Sequence, residues 1–183
     1  MGNKGRLKTE PIVLFGDMSL RTGSKPVEVF HKGLHQKIDI MAYTLRKHGG
    51  GAALAAPQIA LLKNIIVIDY LGKYYELINP AITETSGEVI DYEGCLSLPN
   101  YLGRVKRYQK IKVKYQNRFG DFLEVEPENE MARCFQHEID HLNGILYIDR
   151  MTDEYVFDND FKEKIPVKQL LELTKSGTAP KSF

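Results

Sequence analysis

A chain of 183 residues that is 43% hydrophobic can build one core, and its length does not call for a second domain, so we expect a single domain over 1–183. Its 25 basic and 24 acidic residues nearly cancel, which excludes a global field that would draw nucleic acid or an anionic membrane. Two cysteines, Cys95 and Cys134, are too few for a disulfide scaffold and suit a reducing cytoplasm, and no apolar stretch is long enough to span a bilayer.

At the amino terminus Ile12 to Phe15 is far too short an apolar run for a signal peptide. Met1-Gly2 lacks the Ser or Thr that myristoylation wants at the place of Arg6. The absence of an acid-poor leader favours a bacterial over an organellar setting. After this polar leader, Ser24-Lys25-Pro26 reads as a helix start. Val27, Phe30, Leu34, Ile38, Met41 and Leu45 recur at helical spacing, and His48-Gly49-Gly50-Gly51 stops them. His31 and His35, spaced i, i+4 on that helix with Lys32 where a base would be, read as exposed imidazoles.

Asn64 to Tyr70 and Tyr74 to Ile78 are β-rich runs joined through Gly72, which predicts a hairpin. Ala81 to Asp91 reads as extended with a break at Ser86-Gly87, and Arg104 to Tyr108 as a strand. Lys110 to Asn117 alternates Ile111, Val113 and Tyr115 with Lys112, Lys114 and Gln116, then turns through 118–121 into Phe122 to Glu126. Pro127 is placed to open a helix, since its missing N–H costs nothing there. Met131, Cys134, Phe135, Ile139 and Leu142 give that helix an apolar stripe, and Gly144 ends it. A last helix is expected from Pro166, with Val167, Leu170, Leu171 and Thr174 inward, stopping before Gly177; 176–183 reads as a loose tail. Runs of strands between isolated helices predict an α+β fold with mixed or antiparallel sheets.

The chemistry lies in two segments. Gln136-His137-Glu138-Ile139-Asp140-His141 contains H-E-x-x-H on the predicted helix, where His137 and His141 stack about 40° apart around the axis. Two imidazoles so placed can hold one divalent ion, and Glu138 beside them can take a proton from an attacking water. A catalytic ion wants a third protein ligand and an open position, and Cys95 in Glu93-Gly94-Cys95-Leu96-Ser97 is the best candidate. Taken singly, the histidine pair could be a polar helix face and Cys95 a small buried hydrophobe.

Upstream stands Gly51-Ala52-Ala53-Leu54-Ala55-Ala56-Pro57-Gln58. These three motifs in this order, with Val105-x-Arg107 after the cysteine, resemble the peptide deformylase family over roughly Glu10 to Arg150. Its members are metal hydrolases that remove the formyl group from N-formylmethionine on nascent proteins. One departure stands out: the family usually has a second glycine in the first motif, where this chain has Ala53, whose methyl we expect to narrow the substrate cleft.

The resemblance implies the metal helix packed centrally between sheets, with helices before and after it. It implies Cys95, His137 and His141 as ligands, and ferrous iron as the ion, with nickel or cobalt as working substitutes. The ligand set alone would say zinc. It further implies a formylmethionyl peptide substrate, with nascent chains at the ribosome as its source, bound by Gly51, Ala52, Ala53 and Gly94, and an apolar methionine pocket near the first motif and the metal helix.

Glu138 would take the water's proton and deliver it to the leaving amine. An oxyanion needs preorganised donors, and the resemblance assigns that role to the Gln58 amide and the backbone N–H of Leu96. Gln58 could otherwise be a loop residue capping backbone, and Gly94 a simple turn rather than a point of close backbone approach. Glu93 and Arg107 match positions the family pairs electrostatically, the alternative being two solvated side chains. Asp140, one turn from His137, is either a support to the ligands or a surface carboxylate.

Three other readings remain at this stage. An H-E-x-x-H endopeptidase would draw its third ligand from downstream, where Asp149, Asp153 and Glu154 are the candidates. An RNA-binding module would use the basic run Arg104, Lys106, Arg107, Lys110, Lys112, Lys114 and Arg118 with its interleaved aromatics, though the alternation over 111–116 also fits a half-buried strand. A structural metal site would want a fourth protein ligand. A cytoplasmic enzyme without stable nucleic-acid or membrane binding is the expectation.

Overall fold

Two antiparallel sheets flank one buried helix, and the chain passes between the sheets at the break seen at Ser86-Gly87. The structure is a computed structural model and describes residues 7–176, so the tail expected from 177 onward lies outside the described residues. The elements in order are α1 (Lys32–His48), β1 (Ala53–Ala55), β2 (Ile65–Tyr70), β3 (Lys73–Ser86), β4 (Val89–Cys95), β5 (Leu98–Arg107), β6 (Lys110–Gln116), β7 (Phe122–Val125), α2 (Asn129–Leu142), β8 (Tyr155–Asp158), β9 (Lys164–Pro166) and α3 (Val167–Ser176). One sheet has the order β1-β2-β3-β6-β7 and the other β4-β5-β8-β9, with antiparallel pairing throughout. This is the α+β class expected from the strand runs.

The predicted β2–β3 hairpin closes on Tyr70↔Lys73 through a two-residue turn, Leu71-Gly72, with φ of 51° and 73°. That pair of positive φ values matches the right-handed twist of the flanking strands. The first helix begins later than Pro26. Its N-cap is His31, whose Nδ1 accepts from the N–H groups of Gly33 and Leu34 at 2.9 and 3.3 Å. Val27 stays extended because Asn79 brackets its backbone, accepting from its N–H and donating to its carbonyl at 2.8 Å each. Val27 and Phe30 still pack with Leu34, Ile38 and Met41, so the apolar spacing was a burial signal spanning an extended segment and a helix. The exposed reading of the two imidazoles holds for His31 alone; His35 is half-buried, bonded to the Arg118 carbonyl at 2.8 Å and edge-on to Phe119.

Helix α2 starts at Asn129 rather than at Pro127, because the carbonyl of Pro127 still accepts from Ile111 and Glu128 bridges Lys110. Met131, Ala132, Phe135, Ile139 and Leu142 pack on the five-stranded sheet against Ile66, Ile68, Leu77 and Val113. Its other flank meets the four-stranded sheet through polar side chains. The helix is therefore buried nearly all round. It ends at Leu142, and Gly144 takes the left-handed turn that follows (φ 71°), where a Cβ would stand 2.6 Å from the Arg21 carbonyl oxygen. Strands β1, β8 and β9 carried no recognised sequence signal; α3 follows the predicted pattern, with Val167, Leu170 and Thr174 buried.

Candidate metal centre and active site

Cys95 and the two helical histidines arrive from different directions. Cys95 ends β4, where a register shift between Gly94 and Cys95 turns it away from the regular ladder towards α2. The Cys95 sulfur and one nitrogen from each of His137 and His141 all lie within 4.8 Å of one another. Sγ is 3.3 Å from Nε2 of His141. Nδ1 of His137 bonds Glu93 at 2.9 Å, which leaves its Nε2 for the cluster. One sulfur and two imidazole nitrogens suit a borderline divalent ion such as zinc or ferrous iron, and three ligands leave a position open. Burial depresses the pKa of His141 well below its ordinary value, keeping it in the neutral form a ligand needs. Burial also works against charge on His137, but contact with Cys95 and Glu93 outweighs it and raises the pKa, so a proton is drawn to the place a cation would take. The donor set fits a metal ion.

Glu138 is buried at the base of the cleft, and its Oε2 has no hydrogen-bond partner among the described residues. Burial pushes its carboxyl up to about 7, close to where a proton can be both taken and returned. Gln58 sits on the short turn Ala56–Ile59, after Pro57. Its Oε1 accepts from the Ala55 N–H at 2.8 Å, which orients the amide so that Nε2 points at Cys95 Sγ (3.6 Å) and Ser97 Oγ (3.4 Å). The amino-terminal segment pins both neighbours: Val13 donates to the Gln58 carbonyl and Phe15 to that of Ser97, each at 2.9 Å.

A cleft of about 570 Å³ opens onto this cluster. Gly51, Ala52, Ala53, Gly94, Cys95, Leu96, His137 and Glu138 line it, while Gln58 and His141 lie behind the wall, each about 1% exposed. At Gly51 a Cβ would stand 2.7 Å from Leu96 Cδ1, so this glycine lets the first motif close over the cysteine loop. Ala53 is only 6% exposed and belongs to the core beneath the cleft, so little of its methyl reaches the opening.

Glu93 and Arg107 are a buried pair. Arg107 donates from Nε and Nη2 to the carboxylate at 2.8 and 3.0 Å, and its Nη1 bonds Asp140. Burial raises the Glu93 pKa, but the bonds from His137 and Arg107 overcome it and hold the carboxyl far below its usual range. Asp140 is likewise buried and also receives both arms of Arg150. Arg150 and two residues of the helix, Arg133 and Gln136, were given no role in the sequence. Arg133 donates to Glu93 and to the carbonyls of Val89, Asp91 and Val105, and Gln136 bonds both the N–H and the carbonyl of Tyr108. Gln136 stood inside the quoted motif, and the available signal for Arg133 was its place one turn before His137 on the same helix face.

The downstream carboxylates that an endopeptidase would recruit lie elsewhere. Asp149 pairs with Arg21 and Asp153 with Arg104, and neither they nor Glu154 belong to the metal-ligand cluster. Each cation of the basic run faces a carboxylate: Arg104 with Asp153, Lys106 with Glu88, Arg107 with Glu93, Lys110 and Lys112 with Glu126, Lys114 with Glu124, and Arg118 with Glu76. No described helix is long and apolar enough to cross a membrane.

An α+β domain with an H-E-x-x-H helix and a Cys/His/His cluster defines a metal-dependent hydrolase of one open-site class. The family model for polypeptide deformylase matches residues 9–156. A peptide deformylase of Heliobacterium modesticaldum is 46% identical over 143 residues, covering 78% of this chain and 94% of its own. The crystal structure of peptide deformylase from Thermotoga maritima superposes with a TM-score of 0.77 at 41% identity, covering 80% and 99% of the two chains. A Met-Ala-Ser-bound class I type b peptide deformylase from Acinetobacter baumannii gives 0.74 at 32% identity, covering 80% and 100%. The chain belongs to the polypeptide deformylase family, metal-dependent hydrolases that remove the formyl group from N-formylmethionine peptides. The endopeptidase alternative finds no support in these likenesses.

Proposed function

We propose that this chain hydrolyses the N-formyl amide of N-formylmethionyl peptides, releasing formate and a free methionine amine, with Cys95, His137 and His141 holding one divalent ion. The observation that carries the reading is the convergence of three donor atoms within 4.8 Å beside a buried, unpartnered Glu138 oxygen at the base of an open cleft. When bound, the ion supplies Lewis acidity, acidifying water and polarising the formyl carbonyl.

Glu138 takes the proton from the attacking water as its oxygen bonds the formyl carbon, and returns that proton to the amine nitrogen as the C–N bond breaks. The Gln58 amide, with its carbonyl end tied to Ala55, and the Leu96 N–H stabilise the negative oxygen that develops on the formyl group. Fixed donors need no reorganisation at the moment of reaction. Gly51, Ala52, Ala53 and Gly94 border the peptide, and the pair Glu93–Arg107 keeps His137 aimed.

Ferrous iron is the ion we assign, on the family resemblance, with zinc, nickel or cobalt as occupants of the same donors. Formylated nascent chains beside the ribosome, in the cytoplasm, are the substrate this activity serves. The test is formate release from formyl-Met-Ala-Ser by anaerobically prepared protein, with metal analysis of the same sample and an N-acetylated peptide with cleavable internal bonds as control. Activity that travels with iron and fades in air supports the assignment. Cleavage of the control without formate release overturns the reaction, and an air-stable zinc form as fast as the iron form overturns the metal alone.

A further inference from the structure

The family match ends at residue 156, yet the chain beyond it returns to the cleft. The turn between β8 and β9 is anchored to β5: the Asn159 N–H donates to the Asn100 carbonyl at 3.0 Å, beside the Tyr101↔Asp158 pairing, and Asn159 lines the cleft. Asp158 holds the turn from within, its side chain accepting from the N–H groups of Lys162 and Glu163 at 2.6 and 2.9 Å. The Phe161 N–H bonds the Asp158 carbonyl at 2.9 Å.

Inside that frame Phe161 has φ 57°, the left-handed region that a bulky side chain adopts only when its surroundings enforce it. The enforced conformation lays its ring edge-on to Tyr92, with centroids 5.4 Å apart and planes at 78°, and Phe157 stands 6.0 Å behind. Tyr92 lines the cleft, and both Tyr92 and Phe161 keep large exposed faces, 41% and 53%. A packed aromatic pair that stays half-exposed at the mouth of a substrate cleft is a surface with a use.

A peptide laid along β4 from Cys95 brings a definite residue to this rim. Tyr92 precedes Cys95 by three residues on β4, about 10 Å at strand rise. A peptide with its formyl group at Cys95 and its chain extended covers about the same span by its third residue.

We propose that the β8–β9 turn completes the substrate cleft, with Phe161 and Tyr92 forming an aromatic rim that receives the third residue of the formylated peptide and favours an apolar or aromatic side chain there. The proposal rests on the deformylase reading above and adds a selectivity to it. Tyr92 and Phe161 are neither proposed metal ligands nor proton carriers, so they act on binding of the peptide's far end.

The experiment compares kcat/KM for formyl-Met-Ala-Phe, formyl-Met-Ala-Ser and formyl-Met-Ala, in wild type and Phe161→Ala, with Phe161→Tyr as the conservative variant. We expect wild type to prefer the Phe peptide over the Ser peptide roughly 2- to 12-fold, the range of one aromatic pair. Phe161→Ala should remove that preference through KM, so that its loss on the Phe peptide exceeds its loss on formyl-Met-Ala by the same factor, and Phe161→Tyr should restore it. Equal losses on all three peptides, or a wild type without preference, overturn the rim while leaving the deformylase reading intact. Formate release from none of the three by wild type overturns that reading and the rim with it.

Discussion

Glu93→Gln is the substitution that separates a bystander carboxylate from one that sets the metal site. Glu93 accepts four hydrogen bonds at once: Oε1 from Arg107 Nε and Arg133 Nη1 at 2.8 and 2.9 Å, Oε2 from Arg107 Nη2 and His137 Nδ1 at 3.0 and 2.9 Å. A carboxylate can accept all four, but an amide has one accepting end. Turned either way, its NH₂ faces two donors. If it faces His137, relief requires moving the imidazole proton to Nε2, the nitrogen the ion needs. The variant also leaves Arg133 buried without its carboxylate. Removing one partner of such a buried pair costs about 3–5 kcal/mol, and loss of a hydrogen bond behind a metal-ligating His costs about 10- to 100-fold in metal affinity. Urea unfolding with and without metal reads the first, and competition against a chromophoric chelator reads the second. A variant within about 0.5 kcal/mol and twofold of wild type would refute the reasoning, because surface substitutions alone stay within that band.

Glu138→Gln should keep its metal and lose nearly all formate release, since an amide accepts no proton; wild-type turnover at full metal content would show the role to be misassigned. In the metal-free protein the raised Glu138 pKa makes the folded state hold a proton that the unfolded state has lost. Its stabilisation is therefore present below about pH 4.5 and lost as pH rises through about 7, by up to about 3 kcal/mol. Unfolding curves of metal-free wild type and Glu138→Gln should diverge across that window, and parallel curves would contradict it. Replacing His31 and His35 together by Ala should cost about 1 kcal/mol through the lost N-cap with no change in metal content or turnover, and loss of metal from that double variant would reopen the question of where the ion sits. Ala53→Gly should cost about 0.5–1 kcal/mol of stability and change peptide selectivity little, because its methyl is in the core; a large change in KM with unchanged stability would reverse that order.

How much of this was legible in the sequence depended on whether the signal was local. The H-E-x-x-H spacing fixes two side chains on one helix face, so His137 and His141 could be placed from their numbers alone. The β2–β3 hairpin and the lysine alternation of β6 are equally local. Cys95, Gln58 and Glu93 came from motifs whose meaning lay in the resemblance, since nothing nearby says that a cysteine at the end of a strand will meet a helix 42 residues away. Pro26 misled as a helix start because the backbone of Val27 is claimed by Asn79, a contact across 52 residues. Arg133 and the β8–β9 turn were missed for the same reason. A buried arginine and a strained phenylalanine acquire meaning only from the carbonyls and rings that folding brings to them.

That long-range character also explains why so many charges are buried beside a hydrolytic site. The three proposed ligands come from different elements: His137 and His141 from a helix packed by apolar side chains on the five-stranded sheet, and Cys95 from the edge strand of the other sheet. Apolar packing is non-directional, so it would allow these elements to slide by fractions of an ångström at little cost. Arg133 reaches from the helix to three carbonyls of β4 and β5, Arg107 reaches from β5 to Asp140 on the helix, and Glu93 ties both arginines to His137. Each of these bonds has a direction and a short range, and each leaves a buried charge uncompensated if it breaks. Replacing the network by apolar groups of similar volume need not weaken the fold, but it would remove what fixes the helix against β4. The core brings Cys95 and the histidine pair together, with His137 stacked on the buried Tyr147, and the buried charges add the directional bonds that set their distance.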